Sequence, residues 1–104
     1  MTSATVAEMQ AHIRKLCEAN RISINYERHA SASYTEREIW IRAVRSPRAY
    51  AVALHEIGHI LGRHQRSKVV LVRELWAWHW ARRNALQWTP AMQRCADSSL
   101  RTYR

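Results

Sequence analysis

The chain has 104 residues, 47% hydrophobic and 24% charged, with only two glycines and two prolines. That length holds one hydrophobic core, so residues 1–104 are expected to form a single domain, and the composition is that of a globular chain and excludes a disordered one. Its net charge of +9 is uneven: residues 1–40 carry five Lys/Arg and five Asp/Glu, whereas residues 41–104 carry twelve Lys/Arg against Glu56, Glu74 and Asp97.

No run approaches about 18 apolar residues, which excludes a membrane-spanning helix. The start, "MTSATVAEMQAHIRK", is polar and lacks the apolar core of a secretory signal. Cys17 and Cys95 are far apart and form no C-x-x-C pair, so a reduced, cytoplasmic protein is expected. The basic half 41–104 would attract nucleic acid or acidic protein segments; the plainer reading of that charge is solubility.

In chain order, Val6, Met9, Ile13 and Leu16 fall at helical spacing within residues 5–19, which predicts an amphipathic first helix. Ile22, Ile24 and Tyr26 then alternate with polar residues, and so do Ile39 and Ile41 against Glu36, Glu38, Trp40 and Arg42. Period-2 patterning predicts two strands, and the short link "HASAS" between them predicts an antiparallel hairpin. In "SPRAYAVALHEIGHILG" the ends of a helix are marked: Ser46 as N-cap, Pro47 at the first helical position and Gly62 as the stop. Gly58 sits inside it at a cost of up to about 1 kcal/mol relative to Ala, which predicts close approach of another backbone.

A basic connection, "RHQRSK", precedes a second long helix in "VVLVRELWAWHWARRNALQW", and Thr89 and Pro90 open a last helix running to about Leu100. The expected fold is therefore α+β: an N-terminal helix, a two-stranded antiparallel hairpin, a motif helix, a long helix and a C-terminal helix. Trp40, Trp76, Trp78, Trp80 and Trp88 are expected to supply the bulk of a small core in a chain with no Phe. Exposed tryptophans near Arg82 and Arg83 would instead make a stacking platform for bases.

His55, Glu56 and His59 form the pattern H-E-x-x-H, which arises in a shuffled chain of this composition with a probability of roughly 0.02. Residues four apart on a helix project from one face, so both imidazoles can bind a single Zn²⁺. Glu56, offset by one, flanks the metal as a general base for the attacking water. The third ligand lies elsewhere. A continuation H-x-x-G-x-x-H would need a histidine at position 65, where Gln65 stands; His64 comes one residue early and, on a continuing helix, points about 140° from His59. His64, after a turn at Gly62, and His79 are alternatives. Glu74 is favoured, because it opens the next amphipathic helix beyond a loop long enough to reverse the chain and is one of three acids in the last 64 residues. A salt bridge to Arg73 or Lys68 is its structural alternative.

"ALHEIGHILG" followed by "ELWAWHWA" resembles the gluzincins, the H-E-x-x-H zinc peptidases with a glutamate third ligand, and is most similar to their compact ImmA/IrrE-type and phage-encoded relatives. Their second segment reads E-x-x-A-x-x-(aromatic)-A, which Glu74, Ala77, Trp80 and Ala81 match. The resemblance spans about residues 5–88 and implies a minimal zincin core, with zinc held by His55, His59 and Glu74 and with Glu56 catalytic. The interval from His59 to Glu74 is shorter than in many gluzincins. The resemblance also implies a protein or peptide substrate pairing as an extended chain with an edge strand, here residues 36–42. Tyr34, Tyr50, His64, His79 and Tyr103 are all candidates for the group that stabilises the oxyanion. The competing expectation is a basic nucleic-acid- or protein-binding module with a structural or vestigial zinc site.

Overall fold

The computed structural model describes residues 3–103. Its elements are α1 (Val6–Ala19), β1 (Ser23–Tyr26), β2 (Ser31–Ser33), β3 (Glu38–Ile41), α2 (Pro47–Leu61), α3 (Val70–Asn84) and α4 (Pro90–Arg101). The α+β class and the four helices agree with the sequence reading. Among the described residues, no helix is long and apolar enough to cross a membrane.

The hairpin expectation is corrected. The sheet has three strands in the order β1-β3-β2. β1 pairs with β3 in parallel, with Ile24 opposite Ile39, and the antiparallel partner of β3 is β2, with Ala32 opposite Ile39. The link expected to join two strands is thus partly a strand itself. After β1 the chain passes to the far side of β3 and reverses at 34–37, where the Ser33 hydroxyl accepts from the Glu36 N–H at 3.2 Å and Arg37 takes a left-handed φ of 54°. The Arg37 guanidinium donates to the Asn20 carbonyl at 2.5 Å, anchoring the turn to the end of α1. A left-handed arginine carries no turn signature in sequence, which is why this reversal was placed elsewhere. A second correction follows: residues 36–42 contain the central strand β3, not an edge, and the edge beside α2 is β2.

Sheet patterning is one-sided, with Ile39 and Ile41 buried and Glu38 and Trp40 half-exposed, as expected of a sheet covered on one face. α1 packs on β1, and α2 on β2 and β3. Met9, Ile13, Ile39, Ile41, Tyr50, Leu54, Ile57 and Met92 form the centre of the core. Among the tryptophans only Trp78 is buried; Trp80 and Trp88 pack against the core from its rim. The expectation that tryptophan supplies the bulk of the core is not met: aliphatic residues and methionine do so.

α2 is the central element, and nine of its fifteen residues are buried. Its N-terminus is capped as expected, the Ser46 hydroxyl accepting from the Ala49 N–H at 3.1 Å. Contacts between α2 and α3 run in opposite chain directions: Gly62 faces Trp76, Gly58 faces Ala77, and the His55 ring faces Trp78. The helices are therefore antiparallel. A Cβ built on Gly58 would collide with the Ala77 carbonyl oxygen and lie 3.1 Å from the Ala77 Cα, so the mid-helix glycine brings the two backbones together. The obstructing atoms are backbone and cannot rotate away. Gly58→Ala is expected to lower stability by about 1–3 kcal/mol despite its better helix propensity, measured by chemical denaturation; an unchanged midpoint would mean that the helices separate freely.

Candidate metal centre

The Gly58–Ala77 contact sets the spacing of the site, because His55 and His59 flank Gly58 on α2 and Glu74 lies one turn before Ala77 on α3. Both imidazoles turn Nε2 toward one carboxylate oxygen, Glu74 Oε2, at 2.7 Å from His55 and 3.1 Å from His59. The three side chains are close enough to hold a metal ion, with one donor atom from each lying within 4.8 Å of the others. Tetrahedral bonds of about 2.0–2.1 Å imply donor separations of about 3.3 Å. The His–Glu distances are a few tenths of an ångström shorter, as fits N–H···O⁻ hydrogen bonds in the space a cation would share.

Gln65 completes the orientation of His59 and was not singled out as a positioning residue from sequence. Its side-chain oxygen lies 2.9 Å from His59 Nδ1, and its amide donates to the Arg73 carbonyl at 2.9 Å and the Arg63 carbonyl at 3.1 Å. With both amide protons directed to carbonyls, the oxygen accepts the Nδ1 proton, so it is Nε2, on giving up the proton it shares with Glu74, that would offer a lone pair to a metal. Gln65 occupies the position where a third histidine was sought. His55 is held differently: Trp78 stacks on its ring at 4.2 Å with an interplanar angle of 15°.

Burial sets the electrostatics. Glu56 is only 6% exposed, and desolvation pushes its carboxyl up to about 7, with the Glu74 charge adding to the rise and His59 opposing it. Desolvation would likewise raise Glu74, but the hydrogen bonds and charges of His55 and His59 overcome it and hold that carboxyl far below its ordinary value. His55 is lowered, chiefly by desolvation. In the less buried His59 desolvation also disfavours the cation, yet Glu74 and Gln65 together raise it. A histidine whose cation is disfavoured, one whose cation is favoured and a strongly acidic carboxyl thus share the cluster, beside a second carboxyl raised to about 7.

The alternatives for third ligand are not part of the cluster. His64 and His79 both lie against Trp76, with ring centroids 4.9 Å and 5.1 Å away. Of the oxyanion candidates, Tyr50 is fully buried, with its hydroxyl engaged by His12 at 2.5 Å and the Leu86 N–H at 3.0 Å. Tyr34 is in the β2–β3 turn. Tyr103 lies just beyond α4 and is exposed; partial desolvation and the nearby Glu74 and Glu56 charges raise its phenol.

Comparisons of the chain with protein-family models, with curated protein sequences and with solved structures found no match. The chemistry of the site therefore rests on its own residues.

Proposed function

We propose that the chain is a zinc-dependent metallopeptidase in which His55, His59 and Glu74 hold the metal and Glu56 is the general base. The observation that carries this reading is the convergence of the two α2 imidazoles and the α3 carboxylate on one point, next to a buried carboxyl with its pKa at about 7. Two imidazoles and a carboxylate are a donor set that zinc accepts in catalytic sites, with room for a fourth ligand. Bound zinc would act as a Lewis acid and make a water more acidic. Glu56 takes the proton of the attacking water and delivers it to the leaving amine, for which a pKa near the working pH is well matched. Tyr103, whose phenol senses the Glu74 and Glu56 charges, would donate to the developing oxyanion. The gluzincin resemblance of the two motif segments supports the same assignment.

An extended peptide would pair with the free edge of β2. A groove of about 420 Å³ beside it is lined by Arg28, Arg42 and Arg48 and reaches Val52, one helical turn before Glu56. The test is hydrolysis of a flexible, unfolded protein by the zinc-loaded chain. Cleavage should stop with a chelator, return with zinc, and survive His64→Ala with zinc still bound. A zinc-loaded chain that cleaves nothing, or a His64→Ala variant that loses its zinc, would remove the peptidase reading in favour of a structural metal site.

A further inference from the structure

We propose that the groove between the C-terminal end of α2 and the outer side of α3 binds single-stranded nucleic acid by stacking a base on Trp76. This inference does not depend on the peptidase reading, because Trp76 and Glu74 are two residues apart on α3 and project about 200° apart around the helix. The groove encloses about 410 Å³ and is lined by Arg63, Trp76, His79, Trp80 and Arg83 among others, with no carboxylate. That volume lies within the about 300–1,000 Å³ of small-ligand sites.

Three observations point to a planar, anionic ligand. The first is the aromatic run. Trp76 remains half-exposed and meets two imidazoles, both steeply inclined to it, His64 at 58° and His79 at 71°, whereas Trp80 and Trp88 pack against the core. An indole left in water forgoes burial but presents a flat face to any base. The second is backbone strain. His64 adopts φ 59°, a left-handed conformation that disfavours a residue with a Cβ, and it is this turn that carries its imidazole to Trp76. Such strain persists where the surroundings over-determine it, which is common at binding sites.

The third is uncompensated charge. Among the described residues the only ion pairs join His55 and His59 to Glu56 and Glu74; no arginine or lysine is paired. Arg63 and Arg83 thus flank the aromatic run with their charges open to phosphates. An acidic peptide would satisfy the arginines but offers no ring to the indole. A duplex keeps its bases stacked on one another and away from Trp76. A single strand satisfies both halves of the groove at once.

The test is titration of the full, zinc-loaded chain with a labelled oligodeoxythymidylate of about a dozen nucleotides, read by anisotropy and by quenching of indole fluorescence. Binding should weaken steeply with salt, Trp76→Ala should reduce affinity at least about tenfold, and Trp76→Phe should retain most of it while losing the quenching. Arg63→Ala with Arg83→Ala, two exposed side chains whose loss leaves the core intact, should flatten the salt dependence. Zinc content and melting temperature near wild type would show that each variant is folded. The proposal is overturned if the wild type ignores the oligonucleotide at low salt, if a duplex or polyglutamate competes as well as the single strand, or if folded Trp76→Ala or the double arginine variant binds like wild type.

Discussion

Glu56→Gln is expected to keep its zinc, to lose cleavage by about 10²–10⁴-fold, and to melt higher than wild type once both are stripped of metal at about pH 8. The first two effects follow from the position of Glu56, beside the ligands but outside the set that converges. The third follows from burial. Unfolded, this carboxyl titrates near its ordinary 4.5; folded, desolvation raises it to about 7. The fold therefore binds the proton more tightly than the unfolded chain does. The associated stability is full below about 4.5 and is lost as pH rises through about 7. A shift of that size corresponds to at most roughly 3 kcal/mol, or at most roughly 12–24 °C in a domain of this length. Glutamine removes the charge at nearly constant shape, so its advantage should appear above neutrality and vanish at about pH 5. Thermal melts of the metal-free pair across this range measure it. Equal melting temperatures at about pH 8 would mean that Glu56 is better solvated than its exposure implies. The predicted gain is the stability that the native carboxylate gives up to hold a base tuned to neutrality.

Much of the candidate site was legible in the sequence because its signals are local. Ser46 and Pro47 start the motif helix, four-residue spacing brings His55 and His59 to one face, and Glu74 stands out as a rare acid in a basic half. Gly58 announced a close backbone approach, and Ala77 supplies it. What was not legible is what depends on tertiary pairing. The β1–β3 register is parallel because the reversal lies at Arg37, a residue whose left-handed φ is held by the Asn20 carbonyl and not by its own preference. Ser31–Ser33 is too short and too small in side chain to show period-2 patterning. Gln65 acts through hydrogen bonds to His59 and to two carbonyls, a role without any sequence signature. Gly62 does end the helix, as its C-cap, but in an extended conformation; the left-handed residue of the connection is His64. Gly62 is also a close-approach position, its virtual Cβ 3.1 Å from the Trp76 carbonyl oxygen.

Zinc is expected to raise the melting temperature of the wild type strongly at about pH 8 and weakly at about pH 5.5, and Glu74→Ala should abolish the shift at both. The pH dependence has two sources of opposite sign. In the metal-free protein, Glu74 is depressed by its two imidazoles, so its contribution is present above about 4.5 and is lost as pH falls. His59 is raised by the same carboxylate and by Gln65, so its contribution is full below about 6.5 and fades as pH rises through its folded pKa. Glu56 adds a loss in the same upper range. His55, lowered by desolvation, sides with Glu74 and loses its contribution as pH falls below about 6.5, so the metal-free fold loses Glu74 and His55 stability toward acid and His59 and Glu56 stability toward alkaline pH. Metal binding runs the other way, because imidazoles must be deprotonated to bind zinc. At free zinc a thousandfold above the dissociation constant the gain is about 4 kcal/mol, which in a domain of this size is roughly 16–30 °C. Glu74→Ala removes one of the three donors and also leaves both imidazoles without their hydrogen-bonded carboxylate in a mostly buried site, so it should lose the zinc shift and also melt below metal-free wild type near pH 6. Melts with and without zinc, paired with metal analysis after gel filtration, separate the two effects. A zinc shift that survives Glu74→Ala would require another donor to leave its packing and reach the metal. His64 and His79 lie against Trp76, so either would have to break an aromatic contact to do so.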